Sequence, residues 1–166
     1  TIKKITMKNL ILIFFSFILL SCNNDDDVAP VVTPPFVPVI IEPIIISKRD
    51  ITPNVINPQK TVIDTNEEWN ALLNQLDNFY QPFGIDFMTL YFSESIIDFN
   101  NYTIITVFDQ VYNNGGHSID ITNITEFEDN IIVTVENLQT GNTSSVGTQP
   151  YHIVKIPKAT KPIVFE

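Results

Sequence analysis

Two histidines, scattered strand carboxylates and one cysteine are the side chains of this 166-residue chain best suited to chemistry. His117 and His152 lack the short spacing with which paired ligands hold a metal. Asp109 and Asp120 could join them on adjacent strands as a metal site, and a metal-dependent enzyme is the third of three functional readings. The plain alternative is that both histidines are partly exposed strand residues. No serine sits in a Gly-x-Ser-x-Gly elbow, and no glycine-rich phosphate loop follows a strand and opens a helix. The carboxylates show no close pair for acid–base work. Thr143, Ser144 and Ser145 have no nearby base and read as solvated. The sequence therefore predicts no catalytic residue, no metal and no cofactor. What remains is surface. Asn113-Asn114-Gly115-Gly116-His117 and the segment Leu138–Gln149 read as exposed backbone on a rigid sheet, the usual setting for partner contacts. The plain alternative for the first is a turn that only closes a hairpin.

Charge narrows the partners. The formal net charge is −10 and the sequence pI is about 4.4, which argues against nucleic acid, because phosphate contacts need clustered Lys and Arg. Hydrophobic residues make up 44% and charged residues 17%, enough apolar side chain to bury a core. A single cysteine excludes an internal disulfide and any multi-cysteine zinc site.

That cysteine has a setting of its own. Lys3, Lys4 and Lys8 precede Leu10–Leu20, eleven residues that are apolar except Ser16. As a helix these span about 16 Å, roughly half a bilayer core, so they describe a secretory signal rather than a membrane span. Met7 is an alternative start. Leu19-Leu20-Ser21-Cys22 resembles the bacterial lipoprotein box, in which the cysteine is acylated and becomes the first mature residue. Residues 1–21 are thus expected to be removed and Cys22 to be lipidated. Loss of three lysines leaves a net −13, so lipid rather than charge must hold the chain to a membrane. Asn23-Asn24-Asp25-Asp26-Asp27 reads as a solvated spacer, or as an export address, since such acidic runs resemble those of surface lipoproteins. Asn23 also lacks the aspartate that resembles an inner-membrane retention signal. The expected location is the bacterial cell envelope, at the outer membrane and surface-exposed. Prolines 30, 34, 35, 38 and 43 extend residues 22–43 into a polyproline-like tether that reaches roughly 65 Å.

The elements that must position the surface lie in 44–166, one domain. Ile44–Ile46 and Thr61–Ile63 are β-branched and read as strands. Thr65-Asn66-Glu67-Glu68 is a capping box that opens a helix from Asn66 to Leu76, with Trp69, Leu72, Leu73 and Leu76 on one core-facing side. Asp77–Gly84 reads as a loop and Phe87–Phe92 as a strand. Tyr102–Tyr112 and His117–Phe127 flank the Asn-Asn-Gly-Gly turn and read as a hairpin. A second turn at Glu128–Asn130 adds the alternating strand from Ile131, to give a three-strand meander. Leu138–Gln149 lacks periodicity, Tyr151–Ile156 is a strand opened by Pro150, and Pro162–Phe165 closes the chain. The class predicted is α+β, a mainly antiparallel sheet with one packed helix.

Four of these segments, taken in order, resemble a known family. Glu68-Trp69, Asp98-Phe99, the run Asn113–Ile121 and the tail Thr148–Pro157 are similar to motifs of the protease complex subunit PrcB family, C-terminal domain. The resemblance covers roughly residues 44–166. It departs at His117, where the family usually has Tyr, and at Asn113-Asn114, where Pro-Thr is common, so the surface offered to a partner differs. The resemblance implies a non-catalytic lipoprotein that associates with and stabilises a surface protein complex, such as a protease complex, by binding its folded form. The contact residues expected are Asn113, Asn114, Gly115, Gly116, His117 and Tyr151. A protease inhibitor that presents the Asn113–His117 turn is the second reading.

Overall fold

Side chains branched at Cβ fit a pleated backbone and crowd a helix, and this chain is rich in Ile, Val and Thr. The computed structural model describes residues 34–166. Among these, the compact unit runs from Phe36 to Glu166. Its strands are β1 (Val39–Ile40), β2 (Ile44–Ile51), β3 (Gln59–Ile63), β4 (Tyr102–Phe108), β5 (Asp120–Glu126), β6 (Ile131–Glu136), β7 (Gln149–Pro157) and β8 (Ile163–Phe165). Two helices, α1 (Asn66–Tyr80) and α2 (Phe87–Tyr91), lie between β3 and β4. The class is α+β. The strands form two four-stranded sheets, ordered β2-β7-β4-β3 and β1-β5-β6-β8, antiparallel throughout except where β8 runs parallel to β6.

The first sheet is the middle layer, with a core on each side. On one face Ile104, Phe108, Tyr151 and Ile153 pack with Trp69, Leu72, Leu76 and Phe87. On the other, Ile105, Val107, Val154 and Ile156 meet Ile119, Ile121, Ile124, Ile131 and Val133 of the second sheet's side. Successive side chains of a strand point to opposite faces, so a strand covered on both must be apolar almost throughout. β4 and β7 are buried along nearly their whole length and are mostly apolar, and their buried polar side chains are hydrogen-bonded: Thr103 to Asp64, Gln149 to Ile56 C=O, His152 to Ile121 N–H and Lys155 to Glu94.

The antiparallel character and the helix agree with the sequence, but the connectivity differs. The expected hairpin between Tyr102–Tyr112 and His117–Phe127 does not form: β4 pairs with β3 and β7, and β5 lies in the other sheet. A strand as apolar on both faces as β4, with Ile104 and Phe108 on one and Ile105 and Val107 on the other, needs neighbours and cover on both sides, which an outer hairpin position does not supply. The meander therefore shrinks to β5 and β6, with Phe127 N–H donating to Asn130 C=O at 2.8 Å across the expected turn.

The capping box forms with one change of partner. Glu68 N–H donates to Thr65 Oγ1 at 3.2 Å, while the Glu68 carboxylate accepts from the Thr65 hydroxyl and from Asp64 N–H rather than from Thr65 N–H. The helix then runs past Leu76 to Tyr80, through residues expected to form a loop. Nothing breaks it before Pro82, and Tyr80 gains a buried berth stacked 4.3 Å from Phe87. Phe87–Tyr91 is helical rather than a strand because Asp86 caps it, accepting from Thr89 N–H at 3.0 Å. At the amino end, Val39 and Ile40 pair with Glu126 and Thr125. A stretch read as tether is thus an edge strand, and the packed unit starts earlier than Ile44.

Candidate functional site

The segment from β4 to β5 and the segment from β6 to β7 meet at one end of the molecule and zip together. Tyr112 and Thr148 exchange backbone hydrogen bonds of 2.8 and 3.0 Å. Asn142 N–H donates to Gly115 C=O at 2.8 Å, Gly141 N–H to Gly116 C=O at 3.1 Å, and Ser118 N–H to Gln139 C=O at 3.2 Å. Side chains lock the pair. Asn114 Nδ2 donates to Asn142 C=O at 2.9 Å, which leaves its Oδ1 to accept from His117 Nε2 at 3.0 Å. The His117 ring lies flat on Tyr112, with centroids 3.6 Å apart. The Tyr112 hydroxyl donates to Asp109, which also accepts from Asn137 Nδ2 at 2.6 Å. Burial and the Asp109 carboxylate raise the Tyr112 pKa.

Two glycines make this close approach possible. Gly116 has φ +76°, and a Cβ there would sit 2.4 Å from Asn142 Nδ2. Gly141 has φ +100°, and its Cβ would strike His117 Nε2 at the same distance. Only glycine adopts such angles without strain. The Asn-Gly run is therefore not a hairpin turn but half of a paired-loop tip, its other half 25 or more residues away.

Beneath the tip is a cleft of about 410 Å³, lined among others by Lys48, Asp50, His117, Ser118, Asp120 and Gln139. The Asp120 carboxylate is almost fully covered. It pairs with Lys48, accepts from the Ser118 hydroxyl and accepts from Leu138 N–H at 3.2 Å. Burial pushes its pKa up, but the Lys48, Ser118 and Leu138 hydrogen bonds and the Lys48 charge outweigh that, so it stays below the usual carboxylate range. Asp50 goes the other way: burial raises its pKa against the pull of Arg49 and His117.

His152 lies between the sheets, only 3% exposed. Its Nδ1 accepts from Ile121 N–H at 3.0 Å, so the ring proton sits on Nε2, which is buried without a partner. Burial, with the nearby Lys48 charge, lowers its pKa to about 4 against the opposing pull of Asp120.

The structure gathers Asn113, Asn114, Gly115, Gly116 and His117 at the tip, with Asn113 exposed. Tyr151 corrects the expectation of a surface contact. It is 1% exposed, stacks on Phe108 at 5.3 Å and holds its hydroxyl 2.6 Å from Ser47 Oγ. Its position in a doubly covered strand dictates this. Cys22 lies outside the described residues. Among the described residues no group of three His, Cys, Asp or Glu side chains converges to hold a metal. Sequence reasoning missed Lys48 and Asp50, and it placed Gly141 and Asn142 in the contact segment Leu138–Gln149 without pairing that segment to the Asn113–His117 turn. The break of apolar β2 by Ser-Lys-Arg-Asp marks the first two, and Gly-Asn inside the long loop marks the others. Among the described residues no helix is long and apolar enough to cross a membrane. No family model, curated protein or solved structure matches the chain.

Proposed function

We propose that this chain is a lipid-anchored, non-catalytic binding subunit of the bacterial cell envelope, held at the outer membrane through Cys22, with the paired-loop tip as its contact surface. The observation that carries the reading is the tip itself. Two long loops are cross-linked by backbone hydrogen bonds, so the side chains they present are ordered before any partner arrives. Pre-ordering reduces the entropy lost on association and so favours affinity. Asn113, Asn142, Thr143 and Ser144 form its exposed crest.

The resemblance to PrcB lipoproteins supplies the kind of partner, a surface protein complex such as a protease complex. The chain acts there by stabilising the assembled form through mass action. The inhibitor reading is less favoured by the geometry. The Gly115 N–H and the carbonyls of Gly115 and Gly116 are engaged by the opposite loop, which leaves little backbone for a protease cleft to pair with.

The test is co-purification from gently solubilised membranes of cells that express the full chain with its leader. The wild type should retain a reproducible partner, and Asn113→Arg with Thr143→Arg should lose it while keeping the thermal midpoint. Recovery of monomer alone, or equal retention by the variant, overturns the reading.

A further inference from the structure

The outer face of the β1-β5-β6-β8 sheet carries a row of three apolar residues and one threonine. By register, Ile40 of β1 stands opposite Thr125, Thr125 opposite Ile132, and Ile132 opposite Val164 of β8. All four project away from the inter-sheet core, since their strand neighbours Ile41, Ile124, Ile131 and Val133 pack into it. Ile40 is 66% exposed and Val164 45%. The row continues at one end into a shallow groove lined by Phe36, Pro38, Phe127 and Ile132. Val37, at the same end, is 73% exposed. An exposed apolar stripe rimmed by polar residues marks an interaction face.

The chain enters the domain on this face, at Phe36. From Cys22 to Phe36 is 14 residues, a reach of roughly 50 Å at full extension. We propose that this sheet face rests on the phospholipid surface to which the chain is anchored, an inference that rests on the lipid-anchor reading of Cys22. A short tether holds the face at high effective concentration beside the bilayer, so a modest apolar area suffices for contact. It also leaves the paired-loop tip free for its partner.

Charge selects the lipid. Lys161 lies 4.4 Å over the Phe36 ring but is paired with Glu126, and Glu128 and Asp129 rim the groove. The rim is thus acidic and suits zwitterionic rather than anionic headgroups. The same rim opposes a second copy, whose acidic edge would meet its own.

The experiment uses the full chain processed in a lipoprotein-exporting host and reconstituted in phosphatidylcholine–phosphatidylethanolamine vesicles. Val164→Cys places a nitroxide on the sheet face, and Asn74→Cys places one on the exposed side of α1. Collisional accessibility is read with oxygen, which concentrates in lipid, and with a nickel chelate, which stays in water. Intact mass reads the acyl groups on Cys22. The expected result is several-fold lower nickel accessibility and raised oxygen accessibility at position 164 but not at 74, weakened by phosphatidylglycerol. An acylated Cys22 with position 164 as wet as 74 overturns the docking inference alone. An unmodified Cys22 overturns both it and the anchor. Loss of both oxygen and nickel access at 164, with spin–spin broadening, assigns the face to a second copy and overturns contact with lipid.

Discussion

His152 shows how one residue ties packing to pH. Its ring is neutral in the folded chain because burial and Lys48 disfavour the charged form, with the pKa lowered to about 4. In the unfolded chain it titrates near 6.5, so between those values the unfolded state binds more protons and stability rises with pH. The stabilisation is fully present above pH 6.5 and is lost as pH falls toward 4. Its full size is of the order of 3 kcal/mol. Asp120 sharpens the loss further into acid, since its lowered pKa also favours the deprotonated fold. Urea unfolding from pH 7 to 4 should show this slope. His152→Asn, which keeps an acceptor near Ile121 N–H without the titration, should flatten it. Gly116 gives a second prediction at this scale. Gly116→Ala should cost about 1–2 kcal/mol from its left-handed φ alone, plus displacement of Asn142, and lower the thermal midpoint. Asn142→Ala in that background should recover only the displacement share. The importance of these glycines to a turn is legible in the sequence, but the contact with Asn142 is not, because nothing local in a chain announces a loop partner 26 residues on.

Among the elements, α1 is the one most fully written in its own residues. Thr65, Glu68 and the Trp69–Leu72–Leu76 spacing are local signals, and each does in the fold what its chemistry suggests. Thr65→Ala should lower stability by about 1 kcal/mol in chemical denaturation, and Thr65→Asp should leave it near the wild type. The strands divide differently. Apart from β1, which lies in the stretch read as tether, their existence follows from β-branched runs, but β4 reads as apolar on both faces, and that pattern does not say which strands lie beside it. Pairing depends on contacts distant in sequence, such as β2 with β7 and β4 with β7. Phe87–Tyr91 is ambiguous for a related reason: a short, mostly apolar run suits a strand or a buried helical turn, and the Asp86 cap on Thr89 decides between them. Tyr151 is buried for the same reason: its strand β7 is central in the sheet, and nothing local in the sequence marks it so.

At the scale of the molecule, a three-layer body carries a rigid tip at one end and an apolar sheet face where the tether enters. The division of labour proposed is anchor at Cys22, support on the sheet, recognition at the tip. Cys22→Ala should move the chain from the detergent-rich to the aqueous phase on phase separation of solubilised cells, while leaving the domain's thermal midpoint unchanged. The sharpest test of the binding role is photo-crosslinking in living cells, from a photoreactive residue placed in turn at Asn113, Thr143 and Asn74. The tip positions 113 and 143 should give the same covalent protein adduct, and position 74 on α1 should not. No adduct from either tip position, or the same adducts from all three, would contradict a binding subunit that works through its paired loops.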